Sequence, residues 1–250
     1  MPPSACTATP DCLALFTDLY ELRMAQAYLE LGMREEAVFS LFVRRLPARR
    51  NYLLACGMED LVDLVQSLRF GPPCLDYLRG LGEFPPAFLE WLAAFRFTGD
   101  IHAVAEGTPV FAEEPLLEVR APIAEAQLLE TLAMNQVGVQ TLLASKAARV
   151  VFAAAGRPVV DFGSRRAQGL DAAIAGARAF FIAGVASTSN LLAGDRLGIP
   201  AAGTMAHSFV QAFPSEAEAF RAYARLYPET TLLVDTYDTL AGVQRVIDLA

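Results

Sequence analysis

Apolar and polar residues recur at one rhythm over the first half of the chain and at another over the second. Between Phe16 and Leu31, the residues Leu19, Leu22, Met24, Ala27 and Tyr28 fall at roughly helical spacing, and Thr17 or Asp18 is placed to cap the helix. Residues 36–44 alternate instead: Val38, Ser40 and Phe42 share one face, and Phe39, Leu41 and Val43 the other, which predicts a strand. An amphipathic helix is expected over 57–68, and Gly71-Pro-Pro73 and Phe84-Pro-Pro86 punctuate two short helical stretches. Short strands are expected over 98–104, 109–111 and 115–119. Residues 123–155 then form a long apolar-periodic run that predicts one or two packed helices, broken near Gly138.

The second rhythm is a set of short apolar runs, each followed by a helical pattern. Pro158–Asp161, Phe180–Gly184, Pro200–Thr204 and Thr231–Asp235 read as buried strands, with helices expected over 170–178, 191–197, 215–227 and 240–249. Ser215 and Glu218 make a capping-box pattern at the third of these. The fold class is therefore α/β. The part up to residue 122 reads as mixed α and β, and bridging helices followed by a parallel sheet or barrel are expected over 123–250. A closed barrel takes eight βα units and this stretch supplies about four, so further sequence is expected after residue 250.

Polar residues gather just after the expected strands: Asp161, Ser164, Arg165 and Arg166; Ser187 to Asn190; Thr204, His207 and Ser208; Asp235 to Thr239. In parallel α/β folds the carboxyl ends of the strands form the rim that carries the chemistry. Four such clusters are a stronger signal than any one residue.

Composition narrows what that rim can do. Apolar residues make up 54% of 250 residues and charged ones only 19%, which excludes a disordered chain. With 20 basic against 28 acidic side chains the net charge is −8, which argues against a general nucleic-acid binder but leaves anionic small molecules open. Lys146 is the only lysine and no Gly-Lys-Ser/Thr element exists, so a P-loop is excluded. Lys146 itself, among helix formers, reads as a solvated charge rather than a Schiff-base lysine. Cys6, Cys12, Cys56 and Cys74 lack metal-site spacing, and scattered cysteines point to a reduced, cytoplasmic protein. No secretory or membrane-spanning segment is seen.

Each cluster has a functional reading and a plainer one. Arg165 and Arg166 suit phosphate or carboxylate recognition, or else a surface ion pair with Asp161 or Asp171. His207 follows a strand end as a candidate catalyst, or is a hydrogen-bonded structural histidine; His102 reads as structural. Ser187–Asn190 offers hydroxyls ahead of a helix for an anion, or N-caps it through Ser189 or Asn190. Asp235 and Asp238 suit Mg²⁺ held through phosphate oxygens, with helix capping by Asp238 or Thr239 as the alternative. Tyr20 reads as a core aromatic on its helix.

The segments Thr17-Asp-Leu-Tyr-Glu-Leu-Arg-Met24, Gly163-Ser-Arg-Arg-Ala-Gln-Gly169, Ser187-Thr-Ser-Asn190 and Gly203-Thr-Met-Ala-His-Ser-Phe209 resemble, in order and spacing, those of the nicotinate phosphoribosyltransferases. The resemblance implies a type II phosphoribosyltransferase, with an N-terminal α/β domain over 1–122 and bridging helices with the first half of an irregular α/β barrel over 123–250, that acts as a homodimer with shared active sites. Such enzymes make nicotinate mononucleotide and pyrophosphate from nicotinate and phosphoribosyl pyrophosphate, with ATP and Mg²⁺. It implies that His207 is the phosphorylated histidine that couples ATP hydrolysis. Tyr20 and Phe162 would stack on the pyridine ring, Thr204 would contact nicotinate, and Arg165, Arg166 and Ser189 would serve its carboxylate and the phosphates. Asp235 would act through Mg²⁺ and phosphate. No aspartate lies in Ser187–Asn190, which fits a carboxylate substrate over nicotinamide. The alternatives are an inactive fragment or structural subunit of such an enzyme, and a nicotinamide or quinolinate phosphoribosyltransferase.

Overall fold

The computed structural model describes residues 10–249, with the side chains of 10–12 left out; Cys6 and Ala250 lie outside the described residues. The chain divides into two compact units, the first ending at Pro200 and the second beginning at Ala201.

The first unit opens with a 3₁₀ turn at Pro10–Leu15 and helix α1 at Leu19–Glu30. Strand β1 (Glu36–Phe42) follows, then β2 (Leu53–Leu54) and α2 (Met58–Ser67). Helices α3 (Pro72–Gly80) and α4 (Pro86–Ala94) each begin at a proline, whose fixed φ suits the first turn and whose missing N–H costs nothing there. Strands β3 (Asp100–Ala103), β4 (Pro109–Val110) and β5 (Pro115–Pro122) complete the N-terminal layer. β5 is the centre of an antiparallel sheet, pairing Phe39 with Val119 on β1 and Ile101 with Val119 on β3. Alternation on β1 leaves Phe39 and Leu41 packed against the core while Val38 and Phe42 face outward. Leu117, Val119 and Ala121 on β5 meet Leu61, Leu92 and Leu129 in one apolar cluster.

α5 (Ile123–Gln127) and α6 (Glu130–Ala153) carry the chain onward. The helical run breaks at Leu128–Leu129, not near Gly138, which lies inside α6. A glycine there weakens a helix by only about 1 kcal/mol, and tertiary bonds hold this one. Ser145 Oγ accepts from the Leu54 N–H at 2.8 Å, and Thr141 Oγ1 accepts from the Cys56 N–H at 3.2 Å and donates to the Cys56 carbonyl at 3.0 Å. Polar side chains on α6 thus satisfy the backbone of the β2 strand and the residues after it, which would otherwise be buried unpaired.

β6 (Val160–Asp161) and β7 (Ser187–Thr188) form a parallel pair, with α7 (Leu170–Ile182) between them and α8 (Leu191–Leu197) after them. One strand expectation fails here. Phe180–Ile182 closes α7, and the strand is Ser187–Thr188, since a short apolar run fits a buried helix as well as a buried strand.

In the second unit, α9 (His207–Gln211), α10 (Glu216–Leu226) and α11 (Thr239–Ile247) pack around Val210, Ala219 and Phe220. Residues 202–204 and 231–235, also expected as strands, belong to no ladder among the described residues. The observed parallel ladder is therefore the β6–β7 pair. α11 nonetheless lies so close to residue 234 that a Cβ at Gly242 would collide with the Val234 carbonyl. Ser215 and Asp238 cap α10 and α11, accepting from the N–H groups of Glu218 at 3.3 Å and Ala241 at 2.7 Å.

Candidate functional site

Two of the four polar clusters meet at the carboxyl ends of β6 and β7. Asp161 is the joint: Oδ1 accepts from the Gly163 N–H at 2.7 Å, Oδ2 from the Thr188 hydroxyl at 2.8 Å, and its carbonyl from the Ser189 N–H at 2.8 Å. Thr188, fully buried, in turn accepts from the Asn190 N–H at 3.1 Å. The Arg166 N–H donates to the Gly163 carbonyl at 2.8 Å, so Ser164–Arg166 is one tight turn. Phe162, Arg165 and Arg166 stand exposed on this fixed loop. Neither arginine forms an ion pair within 4 Å among the described residues, so the surface-pair alternative fails: Asp161 already serves its loop. Asn190, not Ser189, caps α8, its Oδ1 accepting from the Ala193 N–H at 3.2 Å.

Beneath the same loop lies a cavity of about 290 Å³ whose wall includes Leu143, Lys146, Asp161, Ser164, Arg166 and Phe180. Lys146, read from sequence as a plain surface charge, sits at this wall.

The other two clusters meet within the second unit. His207, exposed, begins α9, and its Nδ1 lies 3.3 Å from Thr236 Oγ1, which leaves Nε2 as the open nitrogen. The Thr204 carbonyl accepts from the Tyr223 hydroxyl at 3.0 Å while its side chain is exposed. Asp238 is used as a cap, whereas Asp235 stands exposed. Among the described residues no group of three or more His, Cys, Asp or Glu is arranged to hold a metal.

Tyr20 is not a core residue. It is 44% exposed, because α1 turns Glu21, Leu22 and Ala25 inward instead. Its hydroxyl donates to Glu130 Oε1 at 3.0 Å. Partial desolvation, then the bond to Glu130 and the charges of Glu130, Glu21 and Asp18, push the phenol up to about 12. The buried Glu21 accepts from the Thr131 N–H at 3.0 Å and so ties α1 to the start of α6. Nothing in the local sequence marks Glu130 or Thr131 as partners, since each lies 110 residues from the group it binds.

A third arrangement escaped sequence reasoning altogether. Arg178 on α7 meets Glu106 at 2.7 Å, Glu59 at 2.8 Å and Asp60 at 3.4 Å. Glu106 also accepts from the Gly57 N–H at 2.6 Å. Burial alone would raise the Glu106 carboxyl, but the Arg178 bonds and charge and the Gly57 and Glu59 N–H groups outweigh it and hold it below its ordinary value. Cys56 beside this network is a free, fully buried thiol, pushed up to about 12 by burial and then by the Glu106 charge.

An antiparallel N-terminal layer feeding a parallel βα segment, with polar loops at the ends of β6 and β7, defines an α/β protein. Residues 15–138 match the model of the nicotinate phosphoribosyltransferase N-terminal domain. The chain is 60% identical over 237 residues to nicotinate phosphoribosyltransferase pncB2 of Mycobacterium tuberculosis, covering 95% of this chain and 51% of that protein. It is 43% identical over 242 residues to the Bacillus subtilis nicotinate phosphoribosyltransferase, covering 96% and 49%. The human nicotinic acid phosphoribosyltransferase structure superposes with a TM-score of 0.82 at 32% identity, over 89% of this chain and 55% of that one. The chain belongs to the nicotinate phosphoribosyltransferase family, and it spans about half the length of the curated relatives it matches. Among the described residues no helix is long and apolar enough to cross a membrane.

Proposed function

We propose that this chain carries the nicotinate-handling and phosphohistidine parts of a nicotinate phosphoribosyltransferase. In that reaction the pyridine nitrogen attacks C1 of phosphoribosyl pyrophosphate, the C1–O bond to pyrophosphate breaks, and nicotinate mononucleotide and pyrophosphate form. Tyr20 and Phe162, both exposed aromatics, supply ring faces to orient the pyridine for attack. Arg165, unpaired on its rigid turn, offers a guanidinium fork to a carboxylate or phosphate. Ser189 and Thr204 add hydroxyl contacts. Tyr20 shares its helix with exposed Leu19 and Met24, a face suited to a second copy, which supports a dimer in which Tyr20 serves the partner's site. Asp235 would contact magnesium that arrives with the phosphates, and the ion would offset leaving-group charge.

His207 takes a phosphoryl group from ATP: the open Nε2 forms the N–P bond as the bond to ADP breaks, and water later releases phosphate. The contact of Nδ1 with Thr236, which leaves Nε2 without a hydrogen-bond partner among the described residues, is the observation that carries this reading. Incubation with γ-labelled ATP is expected to label the chain at one histidine and His207→Ala to lose the label. A folded chain that takes no label overturns it and favours the second reading, a non-catalytic structural part.

A further inference from the structure

The cavity beneath the 163–168 loop has a composition that the proposed reaction does not use. Its wall joins the only lysine of the chain, Lys146 on α6, to Arg166, while Arg165 next to it is absent from that wall. Ser164 Oγ, also at the wall, is buried and has no hydrogen-bond partner among the described residues. A buried hydroxyl without a partner costs about 1–3 kcal/mol, and a bound acceptor removes that cost. The one acidic residue of the wall, Asp161, is committed to the Gly163 N–H and the Thr188 hydroxyl. Leu143 and Phe180 add apolar surface to the same wall. Two cations, an orphaned hydroxyl and a nearby apolar surface suit a small anion with three or more acceptor oxygens.

We infer that this cavity is a second anion site, which takes a phosphate group, free or as a small monoester, between Lys146, Arg166 and Ser164. It stands apart from the reading of Arg165 and His207 above, and its occupancy would brace the loop that carries Phe162 and Arg165.

Because Lys146 is the only lysine, acylation of the chain reports on it with the N-terminal amine as an internal reference. The full chain is treated with an amine acylating reagent in sodium chloride, inorganic phosphate or phenyl phosphate at equal ionic strength, and each amine is read by mass spectrometry. Phosphate is expected to slow Lys146 about tenfold by engaging and covering the ammonium, with the N-terminus unaffected. Protection by phosphate alone identifies free phosphate as the ligand, and stronger protection by phenyl phosphate identifies a monoester. Arg166→Gln and Ser164→Ala, checked as folded by circular dichroism, are expected to lose the protection. Arg149→Gln, which removes a charge from α6 outside the cavity wall, is expected to keep it. No protection beyond sodium chloride, or equal loss in Arg149→Gln, overturns the site. The readout needs no phosphoribosyl transfer or ATP, so its failure is distinguishable from failure of the proposed reaction.

Discussion

Arg178 and Arg166 flank the same stretch of chain yet live in opposite surroundings. Arg178 is 14% exposed and held by three carboxylates, so its charge serves to fasten α7 to α2 and to the turn that holds Glu106. Arg166 is exposed, has no ion-pair partner among the described residues, and rides on a loop pinned by Asp161, which accepts from the Gly163 N–H and the Thr188 hydroxyl. The contrast separates charge spent on the fold from charge left for a ligand. A guanidinium whose donors are filled by protein has nothing to offer a substrate, and one with open donors beside a cavity has nothing to offer stability.

The largest effect that tests the contrast is at Arg178. Arg178→Met is expected to cost about 3–5 kcal/mol in urea unfolding, because Glu106 is left buried without its partner. Arg178→Met combined with Glu106→Gln is expected to recover part of that loss. A double variant no more stable than the single one would mean that the site is held by packing rather than by charge.

The next effect is the pH dependence of the same pair. The Glu106 carboxyl is depressed in the folded chain, so its contribution is complete above the ordinary value of about 4.5 and is lost as pH falls through the lower folded value. Glu106→Gln is expected to flatten the acid limb of the stability profile below that value. An unchanged acid limb would remove Glu106 from the account. The smallest effect is at the other arginine: Arg166→Gln is expected to move stability by no more than about 0.5 kcal/mol in the same urea titration. A larger loss would show that Arg166 too belongs to the framework, and the contrast would fail.

Parts of this picture were legible in the sequence because they depend on near neighbours. The proline pairs placed the starts of α3 and α4, the alternation from Glu36 placed β1 with its inward face, and Asp238 and Asn190 capped the helices next to them. Two of the polar clusters gather at the ends of β6 and β7, and the other two meet within the second unit without strands before them among the described residues. Phe180–Ile182 was misleading because an apolar run of that length has no period to distinguish strand from helix, and α7 had already begun at Leu170. Tyr20 misled for a different reason. The helical spacing of α1 was right, but which stripe faces inward was decided by the contact of Glu21 with Thr131 on α6.

By itself, then, the sequence determined most of the helices and strand β1, the motif segments that mark the family, and the short-range caps and turns, since each is written in residues a few positions apart. Only the tertiary structure decided which arginine is saturated and which is open, that Lys146 borders a cavity, and that Tyr20 faces outward. Those outcomes rest on partners up to 119 residues distant, which packing alone brings within hydrogen-bond reach.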